Sequence, residues 1–282
     1  MKLTILGSGS PEAYVRRASS GYLVEVGTDN ILFDCGGGVF DNLLRTGRNP
    51  SDITHIIFTH LHSDHMMDYA RLIHAAWDEG GSPIKIYGPA PIRQITEGYF
   101  GTNGVLSHDL RARTELPQSQ EVWLARGGTL PRPWPAPEIH EITAGDRIEG
   151  DGWCIDSTTA PHAQPFLESM AFALHCEGKK FVYSGDSGLC PEVADLSKNA
   201  DLLLHWCYRL DGVAATDLMK ITTPTPSEIG EMAKKAQVGR LVLTHFRKYM
   251  DKKDLFHKAL IDARQAFGDD VAIAEDLQEF EI

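Results

Sequence analysis

The stretch IIFTHLHSDHMMD, residues 56–68, sets three histidines and two aspartates directly behind an apolar run. Few folds tolerate so much ligand chemistry in one place unless it sits at a strand end, where side chains from other strands can converge on it. His60 and His62 are two residues apart, so on an extended segment their imidazoles share one face, and a turn beyond them swings Asp64 and His65 toward a second point. Two adjacent cations suit that spacing. Imidazole with carboxylate ligation accepts zinc, manganese or iron, and open positions on such ions lower the pKa of water toward neutrality.

The remainder of the chain supplies the strands. Short apolar runs recur at Leu3–Leu6, Tyr22–Val26, Ile31–Phe33, Ile56–Phe58, Ile84–Tyr87, Phe181–Tyr183, Leu202–Leu204, Leu241–Leu243 and Val271–Ala274. Helical stretches lie between them. In TPSEIGEMAKKAQ, Thr225 can cap, Pro226 takes the first helical position and Glu228 closes a capping box. DKKDLFHKALIDARQAFG has helical apolar spacing and Gly268 as its stop. The class is therefore α/β or α+β, with helices covering the sheets. Residues 99–137 break the rhythm: rich in Gly and Pro and weakly periodic, they read as an insertion that serves as lid, binding arm or oligomer contact, or as a solvated surface excursion.

Charge narrows the partners expected. A net charge of −12 over 282 residues repels nucleic-acid backbones and anionic membranes unless a local basic patch or bound cations reverse the field. Arg111, Arg113, Arg126 and Arg132 in the insertion form at most a modest patch. The amino-terminal MKLTILGSGSP is too short in apolar residues for a signal-peptide core, and no run of about 18 apolar residues occurs, so a cytoplasmic protein with no membrane partner is expected. The five cysteines are odd in number and lack any CxxC pair, which suggests reduced thiols.

His60, His62, Asp64 and His65 resemble the HxHxDH signature of the metallo-β-lactamase superfamily. LGSGSP at 6–11 and ILFDCGGG at 31–38 resemble its ribonuclease Z and arylsulfatase-like branch. The resemblance implies a four-layer αββα sandwich within the α/β class, formed as one domain over residues 1–282 with the insertion at 99–137. It also implies further ligands at the ends of later strands: His162 in TTAPHAQPF, Asp186 in FVYSGDSG and His245 in LVLTHF. On this likeness one cation is held by His60, His62 and His162, a second by Asp64, His65 and His245, and Asp186 bridges them. Two divalent ions are implied, zinc first, with manganese or iron as alternatives.

Asp64 and His205 are the candidate catalytic residues. His205 in ADLLLHWCY falls where ribonuclease Z-like proteins carry a histidine followed by glutamate, used in proton transfer; here Trp206 replaces the glutamate, and a packed core histidine is the competing reading. KITTPTPSEIG has only threonines where the family often has another histidine. Asp34 and Asp68 read either as groups orienting a ligand histidine or as turn caps, and Asp156 as solvated. His55, His74, His108, His140, His175 and His257 match no motif, although a lid would bring His108 to substrate.

The expected reaction is hydrolysis by a hydroxide activated at the dinuclear centre. The first substrate class is a small-molecule ester, lactone, sulfate ester or phosphodiester, with Trp77, Trp123, Trp134 or Trp206 lining the pocket. The acidic charge places nucleic acid behind it, so a tRNA 3′-end processing endonuclease is the alternative. A non-hydrolytic metal-binding or sensor protein is the third reading. By analogy with related proteins a homodimer is expected.

Overall fold

The apolar runs pair into two seven-stranded sheets in the computed structural model, which describes residues 1–282. The strands are β1 (Lys2–Gly7), β2 (Gly21–Val26), β3 (Asp29–Phe33), β4 (His55–Ile57), β5 (Lys85–Gly88), β6 (Glu138–Glu141), β7 (Arg147–Glu149), β8 (Trp153–Thr159), β9 (Met170–Cys176), β10 (Lys179–Tyr183), β11 (Leu202–Trp206), β12 (Arg240–Thr244), β13 (Val271–Ile273) and β14 (Glu279–Glu281). One sheet runs β14-β1-β2-β3-β4-β5-β6 and the other β13-β12-β11-β10-β9-β8-β7. The helices are α1 (Val39–Arg45), α2 (Ser63–Met66), α3 (Tyr69–Asp78), α4 (Ile92–Phe100), α5 (Ser107–Glu115), α6 (Pro117–Ala125), α7 (Pro191–Leu196), α8 (Asp217–Thr222), α9 (Pro226–Lys235) and α10 (Lys253–Phe267).

Side-chain alternation sorts these strands into layers. Ile5, Phe33, Ile57, Phe172, Phe181 and Leu204 fill the space between the sheets. Their neighbours of opposite parity face helices: Leu32, Ile56 and Phe58 pack with α1, α3 and α4, while Leu203, Leu241 and Leu243 pack with α9 and α10. The result is the expected αββα order. Fully burying each such side chain contributes roughly 1.5–3 kcal/mol.

The capping box at α9 forms as the sequence predicts, with the Glu228 N–H donating to Thr225 Oγ1 and the Thr225 N–H donating to the Glu228 carboxylate at 2.8 Å. Helix α10 stops at Gly268. Strands β6, β7 and β14 are not evident in the sequence because they lie at sheet edges or next to them and read EIHE, RIE and EFE, with mostly exposed side chains. Residues 99–137 contain two helices, α5 and α6, that the weak periodicity does not mark. Helix α6 buries no residue, which is why no apolar period marks it. These helices dock on the end of α3, where Asp78 accepts hydrogen bonds from Arg113, Arg126 and Arg132 and the Arg132 guanidinium lies 4.0 Å from Trp77 and 4.3 Å from Trp123.

Strand direction positions the site. β3 and β4 are parallel neighbours, as are β10, β11 and β12, so their carboxyl ends meet at one rim of the sandwich. Irregular backbone beyond those ends carries polar side chains inward while the strands behind hold it in place.

Candidate metal centre

All seven side chains of the implied ligand set meet at this rim. His60 and His62 follow β4, Asp64 and His65 lie on α2, His162 follows β8, Asp186 follows β10 and His245 follows β12. His245 adopts a left-handed backbone, φ 66°, as does Asp34 at the end of β3, φ 57°. Such conformations are disfavoured for residues with a Cβ and persist only where surrounding structure enforces them.

The nitrogens and oxygens form three groups whose ligand atoms lie within 4.8 Å of one another: His60, His62 and His162; His60, His65 and Asp186; Asp64, His65 and His245. His62 Nδ1 is approached by His60 Nε2 at 3.0 Å and by His162 Nε2 at 3.2 Å. His245 Nε2 stands 3.2 Å from both Asp64 Oδ2 and Asp186 Oδ2, and His65 Nε2 is 3.5 Å from Asp186 Oδ1. A neutral imidazole carries one donor and one acceptor, so three rings turned on one point cannot all satisfy each other. His65 Nε2 and Asp186 Oδ1 are moreover buried without a hydrogen-bond partner. A cation accepting those lone pairs fits this donor set.

The electrostatics suit the same occupant. Burial alone would raise Asp186, yet His245 and His65 hold its carboxyl well below the usual carboxylate range. Burial, helped by the neighbouring His65, pushes His60 well below the ordinary imidazole value. Burial would lower His65 as well, but Asp186 and Asp34 outweigh it. Asp64, despite burial, is lowered by its hydrogen bond from His245. Ionised carboxylates and a neutral His60 are protonation states that cation binding requires, while His65 gives up its proton when a cation takes its place.

Asp34 orients the cluster. It is fully buried, and its Oδ2 lies 2.8 Å from His65 Nδ1 and accepts the Tyr183 hydroxyl at 3.0 Å, while Oδ1 accepts the Thr59 N–H at 2.9 Å. Asp68 does the other job considered for it: its carboxylate accepts the Gly38 and Phe40 N–H groups at the start of α1. Asp156 pairs at the surface with Arg147 and His175.

A cavity of about 580 Å³ opens over the cluster, lined by His62, Asp64, His162, Asp186 and His245 with Gln164, Trp206, Tyr208 and Thr222 among its walls. Trp206 is the tryptophan that reaches it. Trp77 and Trp134 border a different hollow beside α3, and no residue of 99–137 lines the cavity. His205 is not brought to it either. It shares the parity of Leu203 and Cys207, both packed on the helix side, is fully buried, and reaches the rim only through the Trp206 carbonyl, 2.8 Å from its Nδ1. Burial depresses its pKa to about 4. Tyr208 and Gln164 are wall residues that sequence reading misses; the signal for Tyr208 is the two-residue step from Leu204 through Trp206, continued past the strand end.

Residues 29–246 match the family described as beta-lactamase superfamily domain. Ribonuclease Z of Mycobacterium bovis is 29% identical over 255 residues, covering 87% of this chain and 86% of its own. Among solved structures, the metallo-beta-lactamase fold protein YhfI from Bacillus subtilis superposes with a TM-score of 0.73 at 22% identity over 99% of both chains. The short form of human tRNase Z gives 0.69 at 23% identity, over 100% of this chain and 99% of its own. The nuclease names of two of these relatives overturn the expectation of a small-molecule partner with nucleic acid disfavoured. A net charge of −12 belongs to the whole chain and does not set the field at one rim, where a substrate meets local groups. No helix is long and apolar enough to cross a membrane. The chain belongs to the metallo-β-lactamase superfamily and is a metal-dependent hydrolase of its ribonuclease Z branch.

Proposed function

We propose that this chain is a ribonuclease Z-type endonuclease that hydrolyses a phosphodiester bond in precursor tRNA at the 3′ side. The observation that carries the reading is the convergence of seven ligand-bearing side chains from two sheets, five of which line an open cavity. The nuclease names of the relatives support RNA as the substrate.

His60, His62 and His162 would hold one divalent ion and Asp64, His65 and His245 another, with Asp186 between them. Bound there, two such ions, zinc first, supply Lewis-acid polarisation of phosphoryl oxygens and acidify water. The chain's own residues do the rest. Asp34 fixes the ring of His65, so that Nε2 faces Asp186. Asp64 lines the cavity, takes the proton released as water adds to phosphorus, and returns it to the ribose oxygen as the bond from that oxygen to phosphorus breaks. Trp206 and Tyr208, stacked at 5.4 Å with 22° between their planes, wall one side against bulk water.

The test is incubation of metal-loaded protein with a precursor tRNA carrying a 3′ trailer. Release of the trailer is expected, and it stops on addition of chelator or in Asp186→Asn. An intact precursor under conditions where bis(4-nitrophenyl) phosphate is hydrolysed would rule out the RNA assignment.

A further inference from the structure

The wall formed at the end of β11 has two donors that the protein itself does not use. Tyr208 lines the cavity half-buried, and its ring packs against two neighbours: Trp206 stacks on it at 5.4 Å, and the Arg247 guanidinium lies 4.8 Å from the ring centre. Arg247 is in turn fixed by Glu12, which accepts its Nε at 3.1 Å and its Nη2 at 2.7 Å. The ring centre of Tyr208 is 5.8 Å from that of His245, so the phenol stands beside the candidate ligands. Buried phenols elsewhere in the fold pair within the protein: Tyr22 with Thr244, Tyr69 with Thr96, Tyr183 with Asp34. The Tyr208 hydroxyl makes no such bond. Next to it the Trp206 indole N–H is buried and equally without a partner.

A ring held by a stacked indole and a guanidinium, on a residue that lines the cavity and whose hydroxyl has no partner in the protein, is a preorganised donor, because the ordering entropy is met by folding rather than by substrate binding. From this geometry we infer that Tyr208 is a substrate-binding residue whose hydroxyl donates to a phosphoryl oxygen of the scissile diester. It rests on the proposed phosphodiesterase reading and names a contact within that site. The donor strengthens its bond as negative charge grows on the oxygen, so it acts on turnover as well as on binding. No bond to Tyr208 forms or breaks and its proton stays on the phenol oxygen.

The test compares metal-loaded wild type with Tyr208→Phe, which removes one oxygen and keeps the stacked ring. Tyr249→Phe is the control, since Tyr249 also lies against Arg247, at 5.1 Å, but outside the cavity. Three quantities are read: metal content, kcat and KM on bis(4-nitrophenyl) phosphate and precursor tRNA, and the Kd of adenosine 5′-monophosphate by calorimetry. For Tyr208→Phe we expect unchanged metal content, kcat/KM lower by about 10²-fold with most of the loss in kcat, and weaker nucleotide binding by about fivefold. Tyr249→Phe matches wild type. Wild-type values for both kcat/KM and nucleotide affinity in Tyr208→Phe overturn the inference, as does a loss matched by lost metal. If wild type cleaves neither diester, the proposed function fails, and nucleotide affinity alone then decides the role of Tyr208.

Discussion

Asp34 Oδ2 lies 2.8 Å from His65 Nδ1, and both side chains are fully buried. The carboxylate thereby fixes which imidazole nitrogen points at the cluster, and Thr59 and Tyr183 fix the carboxylate in turn. Asp34→Asn preserves the volume and removes the charge. Zinc affinity should fall by about 10–100-fold, read by competition with a chromogenic chelator. Wild-type affinity would mean that Asp34 serves only to brace the Thr59 turn.

Metal analysis of the wild-type protein should give two divalent ions per chain, and His62→Ala and Asp186→Asn should each lose at least one. Because the ligands come together only in the folded chain, chelation should also lower the melting temperature; free metal at a hundredfold excess over its Kd stabilises by about 2.7 kcal/mol per site. Retention of both ions in the two variants would undo the ligand assignment.

Asp251 accepts hydrogen bonds from Arg17 Nε at 2.8 Å, Arg17 Nη2 at 2.8 Å and the Tyr14 hydroxyl at 2.7 Å, at a place where Arg17 is almost wholly buried. Burial opposes ionisation of Asp251, but these partners outweigh it and hold the carboxyl below its ordinary range. With the folded value below the unfolded one, near 3.9, its stabilisation is complete above about pH 4 and is lost as pH falls through the folded value. Asp251→Ala strands the buried guanidinium and should destabilise by about 3–5 kcal/mol at pH 7 in urea unfolding. The gap to wild type should narrow below pH 4.

An NMR titration of His205 should show no midpoint between pH 5 and 8, since burial sets its pKa at about 4. The unfolded chain, with a value near 6.5, takes up the proton first, so this residue withdraws stability as pH falls from about 6.5 to about 4. A midpoint above 6 would place the ring in contact with water or an acidic partner.

The convergence of these side chains was legible because its chemistry is local: His60, His62, Asp64 and His65 lie within six consecutive positions, and the three distant partners each follow an apolar strand. His205 shows where such reading stops. Every residue of β11 is buried, so the strand has no polar face to mark which parity looks between the sheets and which toward α9 and α10. Only packing settles it, sending Leu204, Trp206 and Tyr208 one way and Leu203, His205 and Cys207 the other. Helices α5 and α6 were illegible for a related reason: tethered through Asp78 by arginines, with the Arg132 guanidinium over Trp77 and Trp123, they need little of the apolar stripe that announces a helix.

His60, His62, Asp64 and His65 come from one sheet and its flanking helix, whereas His162, Asp186 and His245 come from the other. An ion seated among them is a rivet through two half-molecules. Neither half alone offers a complete grip, so tight capture has to await their docking, and any sliding of one sheet over the other would open the coordination shell before it melted a single strand.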